Sequence, residues 1–137
     1  MIGKIVTSIV LAFLVAQTSK FIINHKKSGR WNLSSYLQNG GMPSSHTATA
    51  IALTTSMLIE TGLSYYFVIC ALFSLIVMND AMIVRRETGE EAEVLNIVME
   101  KDNILHHKLI ERVGHTPLQV AVGFVVGVVC ALIVYAF

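Results

Sequence analysis

Two histidines stand where polar segments give way to apolar ones, in company that suits phosphate chemistry. The first lies in the run from Gly40 through Gly41, Met42, Pro43, Ser44 and Ser45 to His46. Glycines free the backbone, and Pro43 sets the direction in which the chain enters a helix. Ser44 or Ser45 can cap that helix. Its first-turn amides then point outward at the positive end of the helix dipole, which makes an anion site that a phosphate fits. His46, one turn in, can give or take a proton at that anion, because an imidazole titrates at about pH 6.5.

The second lies in Gly114, His115, Thr116 and Pro117, again ahead of an apolar run. His115, Gln119, Gly123 and Gly127 recur at four-residue spacing, so on a helix they form one stripe. Gln119 can then accept a hydrogen bond from one imidazole nitrogen of His115 and leave the other directed elsewhere, as a nucleophile requires. Each motif taken singly also reads as ordinary helix initiation with a cap and an interfacial histidine. Two such motifs on one predicted face favour chemistry.

A third pattern is Asn79 and Asp80 followed by Arg85 and Arg86, a carboxylate just inside an apolar run with two guanidiniums at its mouth. Charge inside a membrane span is expensive and has a partner or a task. Asp80 can pair with Arg85, while arginine offers paired donors to phosphate oxygens at any working pH. Marking membrane topology is the plainer reading of Arg85 and Arg86. The acidic run Glu87, Glu90, Glu91 and Glu93 reads as a solvated helix face rather than a metal site. His106 and His107 are adjacent, so they point to different faces and chelate poorly.

The elements that must position these groups belong to a membrane. The chain has 137 residues, 54% hydrophobic and 14% charged, with mean hydropathy +0.65. Those values exclude an ordinary soluble domain, and a net charge of +1 offers no general attraction for nucleic acid. Crossing a hydrocarbon core of about 30 Å takes around 20 mostly apolar residues. The expected spans are Ile2 to about Ile23, Ser44 to Thr61, Leu63 to about Val84, and Pro117 to Phe137. The second is the most polar, and its small residues suit a helix buried within a bundle. The first is too long for a signal-peptide core and has no clear cleavage site after it. Thr61 and Gly62 leave room only for a tight hairpin. Gly123 and Gly127 form a G-x-x-x-G pair, expected to serve plain helix packing, with dimerisation the other option. Cys70 and Cys130 lie inside apolar runs as small thiols, not as a disulfide framework.

Of the ten Lys and Arg, eight fall in two stretches: Lys26, Lys27 and Arg30, then Arg85, Arg86, Lys101, Lys108 and Arg112. With four spans both stretches share a side, which the positive-inside rule makes cytoplasmic, leaving the termini outside. Lys20 is expected to snorkel toward that basic side. Glu87 to Arg112 reads as one or two interfacial amphipathic helices broken near Asp102 and Asn103. The expectation is thus one all-α domain over 1–137, a membrane bundle of about four helices with a cytoplasmic amphipathic segment.

The motifs Gly40 to His46, Asp80 to Arg86, Glu93 to Asn96 and Gly114 to Val120, in this order, resemble a known group. The chain is similar, over nearly its whole length, to the divergent small membrane branch of the type 2 phosphatidic acid phosphatase superfamily, which is related to acid phosphatases and vanadium-dependent haloperoxidases. The resemblance implies metal-free and cofactor-free hydrolysis of a phosphomonoester or diphosphate through a phosphohistidine. It maps the parent's phosphate-binding motif onto Pro43, Ser44, Ser45 and His46, with Ser45 in a glycine's place. It maps the nucleophile onto His115, with Gln119 where the parent has an aspartate. The parent's lysine, followed seven residues later by arginine-proline, finds no match, and Lys27 and Arg30 are the nearest basic candidates. Arg112 stands only three residues before His115, out of register with the parent's arginine, so Arg85 or Arg86 would substitute.

The leading expectation is a cytoplasmic-facing lipid-phosphate or diphosphate phosphatase. His115 is its nucleophile, His46 its acid, and Ser44, Ser45, Lys27, Arg30, Asp80, Arg85 and Arg86 line the phosphate site. Its partners would be the bilayer and a phosphate-bearing lipid, with a homodimer open and nucleic acid excluded. The competing reading keeps the scaffold to bind anionic lipid or a partner helix without catalysis. A third, a small transporter subunit, draws on Asp80.

Overall fold

A computed structural model describes residues 2–29, 41–111 and 114–137. Arg30, Gly40 and Arg112 lie outside the described residues, as does the side chain of Lys27. The described chain is all helix and connection: α1 (Ile2–Ser28), α2 (Ser45–Thr61), α3 (Tyr65–Asn79), a π-helical turn (Asp80–Val84), α4 (Arg85–Lys101) and α5 (Pro117–Ala136). Three stretches are long and apolar enough to cross a membrane: Ile2–Lys26, Tyr65–Lys101 and Pro117–Ala136.

The expected span Ser44 to Thr61 is not among them: its helix, α2, has 17 residues and is the middle of the bundle, where it packs on α1, α3 and α5. Its composition explains the placement. Ala48 and Ala52 meet Ala12 and Ala16 of α1 and Cys130 of α5 in a core of small side chains. In lipid, close backbone approach replaces the hydrophobic effect as the force that holds helices together. The Gly123 and Gly127 pair serves this packing within one chain. A Cβ on Gly123 would lie 2.6 Å from the Ser44 carbonyl oxygen, and one on Gly127 would lie 2.5 Å from that of Ala48. The large apolar side chains point outward, including Phe13, Ile69, Leu72, Phe73, Ile76, Phe124 and Val125, where lipid solvates them.

Polar bonds pin the ends. Gly62, with φ +63°, ends α2 and donates its amide to the Leu58 carbonyl at 3.0 Å, and Ser64 caps α3, closing the hairpin. Between these helices Thr54 Oγ1 lies 2.8 Å from Ser74 Oγ. At the end away from the histidines, the Tyr135 hydroxyl donates to Glu60 Oε1 at 2.8 Å, and the Lys4 ammonium sits 5.5 Å from the Tyr135 ring centre.

The amphipathic segment is a single helix, the smaller of the two numbers expected, and it departs from expectation in its junction. It is not separated from the third span, because α4 continues α3 directly through the π-helical turn. After Lys101 the chain turns at Asp102 and Asn103 as expected, and 104–111 forms no second helix. The physical reason is Asn96. Its side-chain amide bonds the Leu109 amide and carbonyl, meeting those backbone groups without a helix.

Candidate functional site

The two histidine motifs each occupy a capped helix start, and the two starts meet at one end of the bundle. Ser44 caps α2, its Oγ accepting from the Thr47 amide at 3.4 Å and the Thr47 hydroxyl at 3.0 Å. Thr116 caps α5 in a reciprocal box with Gln119, and Pro117 fills the first helical position, where a missing N–H is harmless. The two starts are tied together, since the Ser44 amide donates to the Gln119 carbonyl at 3.0 Å.

The π-helical turn brings in the third motif. Its wider winding carries the Arg85 amide to the Asp80 carbonyl, one residue beyond the α-helical partner Ala81. The Ala81 carbonyl instead accepts the His115 amide at 3.0 Å. In a regular helix, residues five apart lie about 140° around the axis. Here the widened turn lets Arg85 Nε reach Asp80 Oδ2 at 2.7 Å. Gly114 closes the junction, for a Cβ there would lie 2.6 Å from the Arg86 Cα.

His115 is 3% exposed, and its Nδ1 lies 3.2 Å from Gln119 Oε1. That is the orienting contact expected from the four-residue spacing. The backbone of Gly41 also stands close enough to the ring to favour its protonated form. Burial pushes the imidazole below its ordinary range, and the positive charges of Lys20 and His46 push the same way, while Gln119 and Gly41 oppose them. The two histidines therefore stand near enough for their charges to be felt. His46 lies on an exposed face of α2 and lines a groove of about 260 Å³ with Ile9, Thr49, Ala50, Leu53, Phe73 and Val77. Apart from His46 and Thr49, that groove is lined by apolar side chains.

Lys20 is the residue that sequence reasoning missed. It does not snorkel outward. It is 4% exposed and its ammonium donates to Ser45 Oγ at 3.1 Å, at the first residue of α2. Two signals pointed there. Ser8, Ala12, Ala16 and Lys20 recur every four residues, and all four are buried, so Lys20 belongs to the packed stripe of α1. Lys20 also precedes Lys27 by seven residues, the interval that the resemblance's lysine and arginine keep.

The described structure thus gathers Lys20, Ser44, Ser45, His46, His115 and Gln119 around the start of α2, with the Asp80–Arg85 pair beside them. Arg86 is not gathered. Its side chain is exposed and pairs with Glu90 at 3.0 Å along α4. A buried ammonium, an imidazole, a hydroxyl and a helix N-terminus converging in this way favour an anion.

Residues 2–130 match the family described as the divergent PAP2 family. The uncharacterized membrane protein YuiD of Bacillus subtilis (strain 168) is 34% identical over 146 aligned residues, covering 95% of this chain and 90% of that protein. No solved structure matches.

Proposed function

Because the chain belongs to the divergent PAP2 family of membrane proteins, we propose that it hydrolyses a lipid phosphate or diphosphate through a phosphohistidine. The observation that carries this reading is the joint burial of Lys20 and His115 at the N-terminus of α2. An ammonium out of water is expensive without an anion, and a phosphoryl group supplies one. Gln119 holds Nδ1, so the other ring nitrogen of His115 attacks phosphorus once substrate displaces the Gly41 contact. The P–O bond to the leaving group breaks, and His46 gives its proton to the departing oxygen. Water then attacks the phosphohistidine and releases phosphate. Lys20, Ser45, the first amides of α2 and Arg85, released from Asp80, hold the phosphoryl oxygens as charge develops.

The groove beside His46 supports a substrate drawn from the bilayer, because it is mainly apolar and begins at the proposed acid. The positive-inside rule puts this end of the bundle in the cytoplasm. The test is turnover of lipid phosphates by purified protein in bilayers. His115→Ala abolishes it, and a wild type without turnover overturns the reading.

Gln119 favours a second reading, non-catalytic binding of anionic lipid. A neutral amide orients an imidazole but does not stabilise an imidazolium as a carboxylate does. Vanadate separates the two: a phosphohistidine site takes it tightly and gains thermal stability, whereas a lipid-headgroup site without a nucleophile does not.

A further inference from the structure

Residues Glu93 to Asn96, singled out in the sequence, take no part in the site described above. Asn96 lies on α4, ten residues beyond Arg86. Its Nδ2 donates to the Leu109 carbonyl at 3.0 Å and to Glu111 Oε1 at 2.8 Å, while its Oδ1 accepts the Leu109 amide at 2.9 Å. The chain that returns from the Asn103 turn is therefore fastened to α4 at Leu109 and Glu111. The turn is fixed too, with the Ile104 amide on the Met99 carbonyl at 2.9 Å. Gly89 and Ala92 are buried on the same side of α4 as half-buried Asn96, at helical spacing. These small residues let a chain lie close along the helix.

The lengths match. From Asn96 back to Arg86 the helix axis advances about 15 Å, at about 1.5 Å per residue. From Leu109 to Gly114, five residues can reach at most about 17 Å. Gly114 rests on the Arg86 backbone, and the next residue, His115, is delivered to the Ala81 carbonyl. Little slack separates the two distances.

We infer that Asn96 is a positioning residue for His115: its clamp fixes Leu109 against α4, five residues before Gly114, and so limits where Gly114 and His115 can arrive. The consequence for catalysis rests on the reading of His115 as nucleophile. The clamp does not, and it can be measured without turnover.

The test uses the full chain in bilayer nanodiscs, with diethyl pyrocarbonate labelling of His115 read by mass spectrometry against exposed His106 and His107. Leu109→Pro removes the amide that Asn96 Oδ1 accepts, and Asn96→Ala removes all three bonds. Leu109→Pro is expected to speed His115 labelling about tenfold, the change that follows when a local opening no longer has to break one hydrogen bond, and Asn96→Ala by at least as much. The double variant should be no faster than Asn96→Ala. Asn96→Asp, which keeps the acceptor for the Leu109 amide and loses both donations, should fall between wild type and Asn96→Ala. If a single variant loses helix content, Asn96→Asp carries the comparison by the same criterion. Unchanged His115 labelling, or additive effects in the double variant, overturns the clamp. On a lipid phosphate, Asn96→Ala should lower kcat and leave KM within about twofold, since the displaced group acts in the transition state. Faster labelling in a protein that turns nothing over would sink the phosphatase reading and leave the clamp standing. Unchanged labelling and kcat in an active protein would do the reverse.

Discussion

Gly123→Ala asks how tightly α5 is set against the start of α2. The added methyl carbon would lie 2.6 Å from the Ser44 carbonyl oxygen, and ordinary contact begins at 3.4 Å. The helices must therefore part by about 0.8 Å, and the obstacle is backbone, which cannot swing aside. Such overpacking costs about 1–3 kcal/mol. The same movement stretches the 3.0 Å bond from the Ser44 amide to the Gln119 carbonyl, losing about 1 kcal/mol more. Alanine's better helix propensity returns about 1 kcal/mol. The net loss is about 1–3 kcal/mol, or about 3–9 °C of melting temperature for a chain of this size. Gly3→Ala is the control, because nothing lies within 4 Å of a Cβ there. Melting in nanodiscs, followed by circular dichroism, reads both. Because Ser44 and Gln119 flank the site, Gly123→Ala should also weaken vanadate protection. A variant as stable as Gly3→Ala would refute the packing of α5 on α2 through this groove.

Three further outcomes follow from the site. Burial, ahead of the charges of Lys20 and His46, holds His115 below its ordinary 6.5 in the folded chain. As pH falls the unfolded chain takes up that proton first, so stability is full above about pH 6.5 and declines through the lowered folded value. His115→Asn should flatten the slope of melting temperature between about pH 5 and pH 7, and equal slopes would contradict the burial argument. Gln119→Glu keeps the side-chain length and the capping box and adds a carboxylate behind the imidazole. Turnover should rise at least about tenfold and its acid limb move upward, so lower activity with an intact fold would count against His115 as nucleophile. Lys20→Met removes a buried charge while filling its space. The unliganded protein should melt no lower, yet vanadate should no longer raise its melting temperature, and retained protection would remove Lys20 from the phosphate site.

The fold was legible where hydropathy and caps spoke together. The spans, the Gly62 hairpin and the two capped starts at Ser44 and Thr116 follow from local rules that tertiary context did not override. The contact between His115 and Gln119 follows from helical spacing alone. The inward turn of Lys20 was obscured because snorkelling is the usual behaviour of a lysine near a helix end, and only its place in line with Ser8, Ala12 and Ala16 argues otherwise. The non-helical course of 104–111 was obscured for another reason. Its apolar residues allow a helix, and what prevents one is a side chain eight residues before the segment, whose bonds no local pattern reveals. The π-helical turn leaves no mark in the composition of Asp80 to Val84.

That turn amounts to one surplus residue threaded into an otherwise continuous rod from Tyr65 to Lys101. Deleting Met82 or Ile83 would let the rod close into regular winding, four residues then sweeping nearly the angle that five sweep now, so that what lies beyond would keep its phase. The Ala81 oxygen would be reclaimed by its own helix, and the His115 amide would lose its anchor. Between 80 and 84 the molecule should forgive changes of side chain far more readily than a change of length.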